Sequence, residues 1–201
     1  PQCAPKSVVV ALGWGLTAAM LDASDVLVVL DQLDQAGLVA WLDGGWGVDA
    51  LLGHQSRPHE DLDLVIARDD CAAAEAALAG LGFQPDLAAV PGWPAQLVLV
   101  DVDGRRVDLH VVVFDGHSNG WQELGGGAWG GYPAEGLTGV GLVGGRQVRC
   151  LTPQLQVRHH LGYPLDATDR LDLGQGAEPG VGHGPREVPR QHGGGRAEVH
   201  E

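Results

Sequence analysis

The sequence of residues 41–66, WLDGGWGVDALLGHQSRPHEDLDLVI, combines a glycine turn, a short helix and an acidic strand in one compact unit. The apolar run at its start leads into Gly44 and Gly45, which predicts a strand that breaks into a tight turn. Because glycine permits close approach of the backbone, the amides of this turn are free to face a ligand. Residues 46–52 then predict one or two helical turns that end at Gly53.

Two carboxylates follow this helix on a predicted strand. Residues 61–66 alternate between polar and apolar side chains, which is typical of a half-buried strand. Asp61 and Asp63 therefore project from the same face, about 7 Å apart along the strand. Carboxylates at this separation can share a divalent ion, so the pattern predicts a metal site. The polar connection before the strand carries Arg57 and His59.

The whole unit resembles the signature of the nucleotidyltransferase superfamily (DNA polymerase beta-like), in which a Gly-Gly or Gly-Ser turn precedes an Asp-x-Asp pair on a strand. Within that superfamily it is similar to lincosamide nucleotidyltransferases and aminoglycoside 2''-nucleotidyltransferases. A bare Asp-x-Asp is a weak signal, but the turn and the Arg-x-His element before it make the pattern specific. The residues that carry the resemblance are Trp41, Asp43, Gly44, Gly45, Trp46, Asp49, Gly53, Arg57, His59, Asp61 and Asp63.

The resemblance implies an α+β fold, with a small mixed β-sheet flanked by helices. It implies an enzyme that uses Mg²⁺ to transfer AMP from ATP to a hydroxyl of a small antibiotic, giving resistance. A lincosamide is the favoured acceptor and an aminoglycoside the next. Asp61 and Asp63 would hold the metal, because hard divalent cations take oxygen ligands. The expected nucleotide contacts come from backbone amides and cationic or polar side chains, at Gly44, Gly45, Arg57 and His59.

A third carboxylate lies on a later predicted strand. Residues 96–101 and 106–113 form a predicted hairpin across an Asp-Gly turn. Asp108 interrupts the apolar second strand, which costs free energy unless the carboxylate is paired or binds a cation. The resembled family carries a third carboxylate on the strand after its Asp-x-Asp strand, and Asp108 matches that position. It would be a metal ligand or the general base that deprotonates the acceptor.

Two points about this hairpin stay open at the level of sequence. Asp108 has the alternative of pairing with Arg105 or Arg106 at a sheet edge. His110 lies two residues further on, so its side chain shares the face of Asp108. It is interpreted equally well as a hydrogen-bonded strand histidine and as a substrate contact.

Two helices are predicted to flank the sheet. The first has Ser24 as its N-cap and ends at Gly37, with apolar residues on one face. The second opens at Asp70 and runs through Ala79. A further strand at residues 147–150 is followed by a helix that starts with Thr-Pro, a cap with proline at the first helical position.

Residues 116–145 are rich in glycine and include Trp121, Trp129 and Tyr132. Two interpretations of this segment stand side by side. It is a long surface loop whose aromatic rings cover the core, or it is a wall of the acceptor pocket.

The composition limits the partners. With 201 residues and 44% hydrophobic residues, the chain can bury a sizeable core. A net charge of -14 argues against nucleic-acid and membrane partners and favours a small, cationic, hydroxylated acceptor beside ATP. Cys3, Cys71 and Cys150 lack disulfide-like or metal-like spacing, which predicts free thiols in a reducing compartment. Use of ATP agrees with a cytoplasmic location, and the sequence does not indicate an oligomeric state.

We divide the chain into three parts. Residues 1–21 form an N-terminal extension, and residues 1–19 would lie upstream of the natural start if Met20 is the initiator. Residues 22–173 form the nucleotidyltransferase domain. Residues 174–201, rich in Gly, Pro, Arg and His, have no apolar period, which predicts a disordered tail or the product of a frameshift.

Two other classes of function remain compatible with the sequence. The chain could be a relative that binds nucleotide without turnover. It could also be a degenerate, inactive gene product, since its tail departs from the resembled family. Release of pyrophosphate would distinguish an enzyme from a relative that only binds nucleotide. A cooperative melting transition would distinguish a folded protein from a degenerate gene product.

Overall fold

A computed structural model describes residues 19–88 and 96–160 of the protein. Most of the N-terminal extension, the predicted loop at residues 91–94 and the whole tail at residues 174–201 lie outside the described residues. The helices are α1 (Ala23–Gln35), α2 (Gly44–Leu52), α3 (Cys71–Ala79) and α4 (Pro153–His160). The strands are β1 (Ala40–Leu42), β2 (Asp61–Ala67), β3 (Gln84–Pro85), β4 (Gln96–Val100), β5 (Arg106–Phe114), β6 (Gly120–Gly125), β7 (Ala128–Tyr132), β8 (Gly139–Val143) and β9 (Arg146–Cys150).

The strands form one mixed sheet. Its order is β3-β4-β5-β2-β1-β9-β8, and the β6–β7 hairpin extends from the end of β5. The β2–β5 and β1–β9 pairs are parallel, whereas the other pairs are antiparallel. The predicted α+β class, with a mixed sheet flanked by helices, is confirmed. Strand β2 lies near the middle of the sheet, between β1 and β5.

Alternation along β2 and β5 gives the sheet two different faces. On one face Leu62, Leu64, Val107 and Leu109 are completely buried, in one apolar cluster with side chains of α1 and α3. Full burial of a leucine or valine side chain contributes about 1.5–3 kcal/mol to folding. The intervening residues, which include Asp63, point to the opposite face. Helices α1 and α3 thus cover one side of the sheet. On the other side Val65 and Val112 pack with Leu155 of α4, and the part that carries Asp61 and Asp63 stays open.

Of the two predicted ends of α1, the C-terminal end is correct and the N-terminal end is wrong. Asp22, and not Ser24, is the N-cap: its carboxylate accepts hydrogen bonds from the backbone N–H groups of Ser24 and Asp25, at 2.8 and 3.0 Å. Asp25 in turn accepts from the Asp22 N–H at 3.0 Å, which completes a capping box. This reciprocal hydrogen bond explains why Asp22, rather than Ser24, is the N-cap of α1. The helix stops before Gly37, as predicted, and this glycine has φ +74°.

Of the two interpretations of residues 116–145, the long surface loop is wrong. This segment forms strands β6, β7 and β8, and β6 pairs with β7 across a glycine turn. Gly125, Gly126 and Gly127 all have positive φ, so they reverse the chain and leave the flanking residues to pair. Glycine within the strands themselves hid their pattern in the sequence.

Among the described residues, no helix is both long and apolar enough to cross a membrane. Cys71 and Cys150 are buried free thiols, as the cysteine spacing predicted.

Helix α2 packs on β8 so closely that a methyl group does not fit between them. A Cβ atom on Gly141 would lie 2.4 Å from the backbone carbonyl carbon and oxygen of Ala50. We therefore expect Gly141→Ala to lower the free energy of unfolding by about 1–3 kcal/mol, since backbone atoms cannot move aside cheaply. Chemical denaturation measures this quantity. The control is Gly116→Ala, where a Cβ meets nothing within 4 Å; equal stability of the two variants would contradict the packing.

Candidate active site

The Gly44–Gly45 turn is the first turn of α2, which begins two residues earlier than predicted. Gly44 has φ +54°, and a Cβ atom there would lie 2.0 Å from Oδ2 of Asp63. A Cβ atom on Gly45 would lie 2.4 Å from Nδ1 of His59 and 2.6 Å from Nη2 of Arg57. Three side chains predicted for the site thus pack directly on the turn. Both positions require glycine, and the turn lies at a helix N-terminus, where anions bind favourably.

The carboxylates of β2 and β5 meet on the open face of the sheet. The parallel register places Asp63 beside Asp108, and His110 follows two residues after Asp108 on the same face. Asp63, Asp108 and His110 each offer one possible ligand atom, and these atoms lie within 4.8 Å of one another. Asp61 lies on the same face of β2, two residues before Asp63, and is exposed. The structure therefore brings Asp63 and Asp108 together, whereas Asp61 interacts with both through its charge but is not among the residues whose ligand atoms converge.

The electrostatics of this group suit a divalent cation. Desolvation, followed by the charges of Asp63 and Asp108, raises the pKa of Asp61 from 3.8 to about 6, although Arg57 and His59 oppose the shift. Burial also raises the pKa of Asp108. Gln96 donates a hydrogen bond to Oδ2 of Asp108, whereas its Oδ1 is buried and has no hydrogen-bond partner among the described residues. A buried orphan oxygen among repelling carboxylates fits Mg²⁺, which takes oxygen ligands.

A second polar network lies behind these carboxylates, and the sequence analysis did not find it. Asp43, 4% exposed, caps α2 through the Gly44 N–H at 2.8 Å. Its Oδ2 lies 3.3 Å from Nδ1 of His110 and 3.7 Å from Nδ1 of His159 on α4. Tyr132 places its hydroxyl oxygen 3.4 Å from the same His110 nitrogen. An aspartate before a glycine turn is an N-cap signal, but nothing in the sequence indicates the approach of His159.

Charge pairing within this network is strong. Burial alone would raise the pKa of Asp43, but hydrogen bonds and the charges of His110 and His159 hold it far below its usual range. For His110, burial works toward a lower pKa, and the two carboxylates of Asp43 and Asp63 overcome it, so that its pKa lies well above the ordinary value. In this arrangement the imidazole of His110 is a cation between two carboxylates.

His59 lies beneath the turn. It is 1% exposed, its ring lies 4.8 Å from that of Trp46, and its Nε2 is 2.5 Å from Oδ2 of Asp49. Ser56 donates to the other oxygen of Asp49 at 2.5 Å. His59 therefore supports the turn from inside the fold, and its direct contact with a nucleotide stays a prediction. Arg57 is half-buried at the turn.

The alternative of a sheet-edge pair for Asp108 is wrong. Arg105 pairs with Asp25 and Asp101, and Arg106 pairs with Asp86. The physical reason is topological, because β5 is an interior strand with β4 on one side and β2 on the other. Arg105 precedes β5 and Arg106 is its first residue, so both lie at the turn end of the strand. Arg106 shares the face of Asp108, but its salt bridge is with Asp86.

The three predicted aromatic residues lie in different environments. Tyr132 is buried, donates to Oε1 of Gln122 at 2.9 Å and lies edge-on to His159, with ring centroids 4.6 Å apart. Trp121 is half-buried and donates to Asp115 at 3.1 Å, whereas Trp129 is exposed on the β6–β7 hairpin. Only Tyr132 among the three contacts the polar network directly. An acceptor wall built from this hairpin stays a prediction.

A sequence model of the aminoglycoside-2''-adenylyltransferase family matches residues 25–175. The chain belongs to this family. As a member of the aminoglycoside-2''-adenylyltransferase family, the protein is an enzyme, a nucleotidyltransferase, as the motif predicted. The match runs from the third residue of α1 past the end of α4 and therefore includes every residue of the site described above.

The relatives of this family member include proteins named for lincosamides and proteins named for aminoglycosides. A lincosamide resistance protein of Staphylococcus haemolyticus is 25% identical over 149 residues, which are 74% of this chain and 90% of the relative. A 2''-aminoglycoside nucleotidyltransferase of Escherichia coli is 37% identical, but only over 54 residues, 27% of this chain and 30% of the relative. The similarity thus covers almost the whole length of the lincosamide resistance protein, but only one segment of the aminoglycoside nucleotidyltransferase.

Solved structures show the same fold. The crystal structure of the lincosamide antibiotic adenylyltransferase LnuA, lincomycin-bound, superposes with a TM-score of 0.68 at 24% identity, covering 78% of this chain and 97% of that one. The crystal structure of ANT(2'')-Ia in complex with adenylyl-2''-tobramycin gives a TM-score of 0.58 at 18% identity, covering 76% and 86%. The predicted nucleotidyltransferase fold is confirmed.

The raised pKa of Asp61 has a measurable consequence for stability in EDTA. A pKa that folding raises means that the folded state favours the protonated carboxyl group. The contribution of Asp61 to the free energy of unfolding is therefore fully present below about pH 4 and is lost as pH rises through about 6. We expect Asp61→Asn to be more stable than the wild type at about pH 7.5, by about 1 kcal/mol once solvent screening of this exposed group is allowed for. The advantage should vanish near pH 4.

Thermal denaturation of both proteins across this pH range makes the comparison. Asp69→Asn serves as the control, since Asp69 is an exposed carboxylate at the other end of β2. An Asp61→Asn variant that is less stable than the wild type near pH 7.5 would show that the carboxylates do not repel one another.

Proposed function

We propose that this protein transfers AMP from ATP to a hydroxyl group of a small cationic antibiotic, with a lincosamide as the favoured acceptor. One observation carries the proposal: the glycine turn at the start of α2 lies directly against Asp63, which is in register with Asp108. Phosphate-binding amides and clustered carboxylates are thereby within one small region. This is the arrangement that nucleotidyl transfer requires, because it must bind a triphosphate and deprotonate a hydroxyl at the same place.

Each part of the site has a proposed role toward the nucleotide. The turn at Gly44 and Gly45 lets phosphate oxygens approach the N-terminus of α2, where the helix dipole favours negative charge, although the Gly44 N–H itself donates to Asp43. Arg57, beside this turn, adds a charge-assisted contact with the phosphates. Asp61 and Asp63 would hold Mg²⁺, which when bound neutralises charge on the triphosphate and on the leaving pyrophosphate.

The reaction needs one proton transfer and one displacement. The acceptor hydroxyl oxygen forms a bond to the α-phosphorus, and the bond from that phosphorus to the bridging oxygen breaks, so that pyrophosphate leaves with the electron pair. Asp108 takes the hydroxyl proton as general base. Gln96 donates a hydrogen bond to its Oδ2 and so positions this carboxylate beside Asp63.

Charge and shape favour a cationic acceptor with an apolar part. The chain carries a net charge of -14, and acidic groups line the open face of the sheet. Several ammonium groups need several carboxylates, whereas a lincosamide carries one amine and an apolar arm that suits aromatic side chains. The β6–β7 hairpin offers Trp121, Trp129 and Tyr132 against few acidic residues. Similarity to a lincosamide resistance protein over 90% of its length supports this choice.

An aminoglycoside is the second candidate acceptor. The matched family is that of aminoglycoside-2''-adenylyltransferases, and the 54-residue segment shared with an Escherichia coli member is 37% identical. Both candidates use the same carboxylates and the same nucleotide chemistry. They differ only in how the acceptor is held.

Mass spectrometry of the reaction product tests the proposal. The full chain is incubated with ATP, Mg²⁺ and either lincomycin or tobramycin, and the expected product is lincomycin heavier by one AMP, with stoichiometric pyrophosphate. Nucleotide binding without pyrophosphate release would instead identify a non-catalytic relative. Absence of a cooperative melting transition would identify a degenerate product.

Removal of single carboxylates should abolish transfer and preserve the fold. We expect Asp63→Asn and Asp108→Asn to lower kcat/KM for the acceptor by at least about 100-fold, because each loses a charge that the reaction uses. Circular dichroism should show an unchanged fold. Asp69→Asn makes the same chemical change away from the site and should retain activity; wild-type rates in either site variant would refute the assigned roles.

Ionic strength distinguishes the two acceptor classes. Screening weakens the attraction of a multiply charged ligand far more than that of a singly charged one. We expect the KM for lincomycin to change less than about twofold between low and physiological salt. A steep rise of KM with salt, together with modification of tobramycin and not of lincomycin, would reverse the choice of acceptor.

A further inference from the structure

We propose that His110 is a metal ligand, so that the ion held by Asp63 is bound through an imidazole nitrogen as well as through carboxylate oxygens. This inference rests on the proposed function for the presence of the metal. It goes beyond the carboxylate set because it assigns a nitrogen donor on β5 that neither the motif nor the family match indicates. Its basis is the position of the two ring nitrogens of His110.

The first step is distance. Nε2 of His110 lies 3.5 Å from Oδ1 of Asp63. Ligand bonds of about 2.1 Å place adjacent donors about 3.0 Å apart and opposite donors about 4.2 Å apart around an octahedral ion. The observed separation is about 0.5 Å longer than that of adjacent donors, so a small side-chain movement would bring both atoms to one ion. Asp108, the proposed general base, lies beside this pair, and one possible ligand atom from each of the three residues lies within 4.8 Å of the others.

The second step is the position of the ring proton. Two groups face Nδ1 of His110: Oδ2 of Asp43 at 3.3 Å and the hydroxyl oxygen of Tyr132 at 3.4 Å. Tyr132 donates its own proton to Gln122, so its oxygen faces His110 as an acceptor. Both neighbours of Nδ1 therefore accept hydrogen bonds, which assigns a proton to Nδ1. The other nitrogen, Nε2, is the one that faces the carboxylates, and its lone pair can bind an ion once its proton is displaced.

The third step is orientation. A metal-binding histidine commonly donates its second ring N–H to a carboxylate, which fixes both the tautomer and the ring plane. Asp43 occupies that position, is buried, and is itself anchored by the Gly44 N–H at 2.8 Å. The order of contacts is therefore Asp43, His110 and then the ion site, the carboxylate–histidine–metal arrangement.

A nitrogen ligand changes the metal preference of the site. Imidazole suits Mn²⁺ and Co²⁺ better than Mg²⁺, which strongly prefers oxygen donors. We expect the wild-type site to bind Mn²⁺ more tightly than Mg²⁺, and His110→Asn to lose about 10- to 100-fold in Mn²⁺ affinity, a loss typical of disturbed metal environments.

Pulsed electron paramagnetic resonance of the Mn²⁺-loaded full chain tests the assignment without relying on activity. An imidazole nitrogen bound to Mn²⁺ gives a ¹⁴N modulation of the electron spin echo. We expect this modulation in the wild type, its replacement by the ¹⁵N pattern after labelling with ¹⁵N-histidine, and its loss in His110→Asn. The labelled wild type keeps the test decisive even if the variant fails to fold.

His159→Asn is the matched control, since His159 also contacts Asp43 but is not among the residues grouped around the ion site. It should retain the modulation. Bound Mn²⁺ without nitrogen modulation, or with a modulation that survives in folded His110→Asn, would overturn the inference and leave the proposed function standing. Failure of the folded wild type to bind Mn²⁺ or Mg²⁺ at all would overturn the metal-dependent function itself.

Discussion

The parallel register between β2 and β5 is the constraint on which the site depends. It sets Asp63 beside Asp108 and places His110 on the same face, so that donors from positions 45 residues apart in the chain share one small volume. A shift of one residue would turn the carboxylates toward the core and expose the leucines between them. The buried Leu62, Leu64 and Leu109 resist that shift, because each contributes apolar burial that a slipped strand would lose.

Alternate residues of β2 and β5 therefore have two roles: one set is buried in the apolar core, and the other carries the polar groups of the site. One face joins α1 and α3 in a continuous apolar cluster, and the other concentrates groups that repel one another. Carboxylates in a central part of a sheet oppose folding unless a cation or a donor compensates them. Here Gln96 and His110 compensate in part, and the apolar face supplies the remaining stability. A sheet can carry such a site and remain folded because apolar side chains are buried on its opposite face.

Local patterns in the sequence predicted the elements that form the site, because each follows from a short period or a turn signal. The alternation at residues 61–66, the Gly53 stop of α2 and the β4–β5 hairpin are all correct. What the sequence did not predict depends on long-range contacts. His159 reaches Asp43 from α4, over more than a hundred residues, and neither residue carries a local signal of the other. The β6–β7 hairpin was missed for a different reason, since glycine within the strands removed the alternation on which the prediction depends.

The double attachment of Asp43 has a mechanical consequence. One carboxylate both starts α2, through the Gly44 N–H, and fixes the ring of His110 on β5. The glycine turn at the start of α2 and a side chain beside Asp63 are thus attached to the same residue. The start of the helix and the orientation of that imidazole are therefore linked through one side chain, so a substitution of Asp43 would disturb both at once.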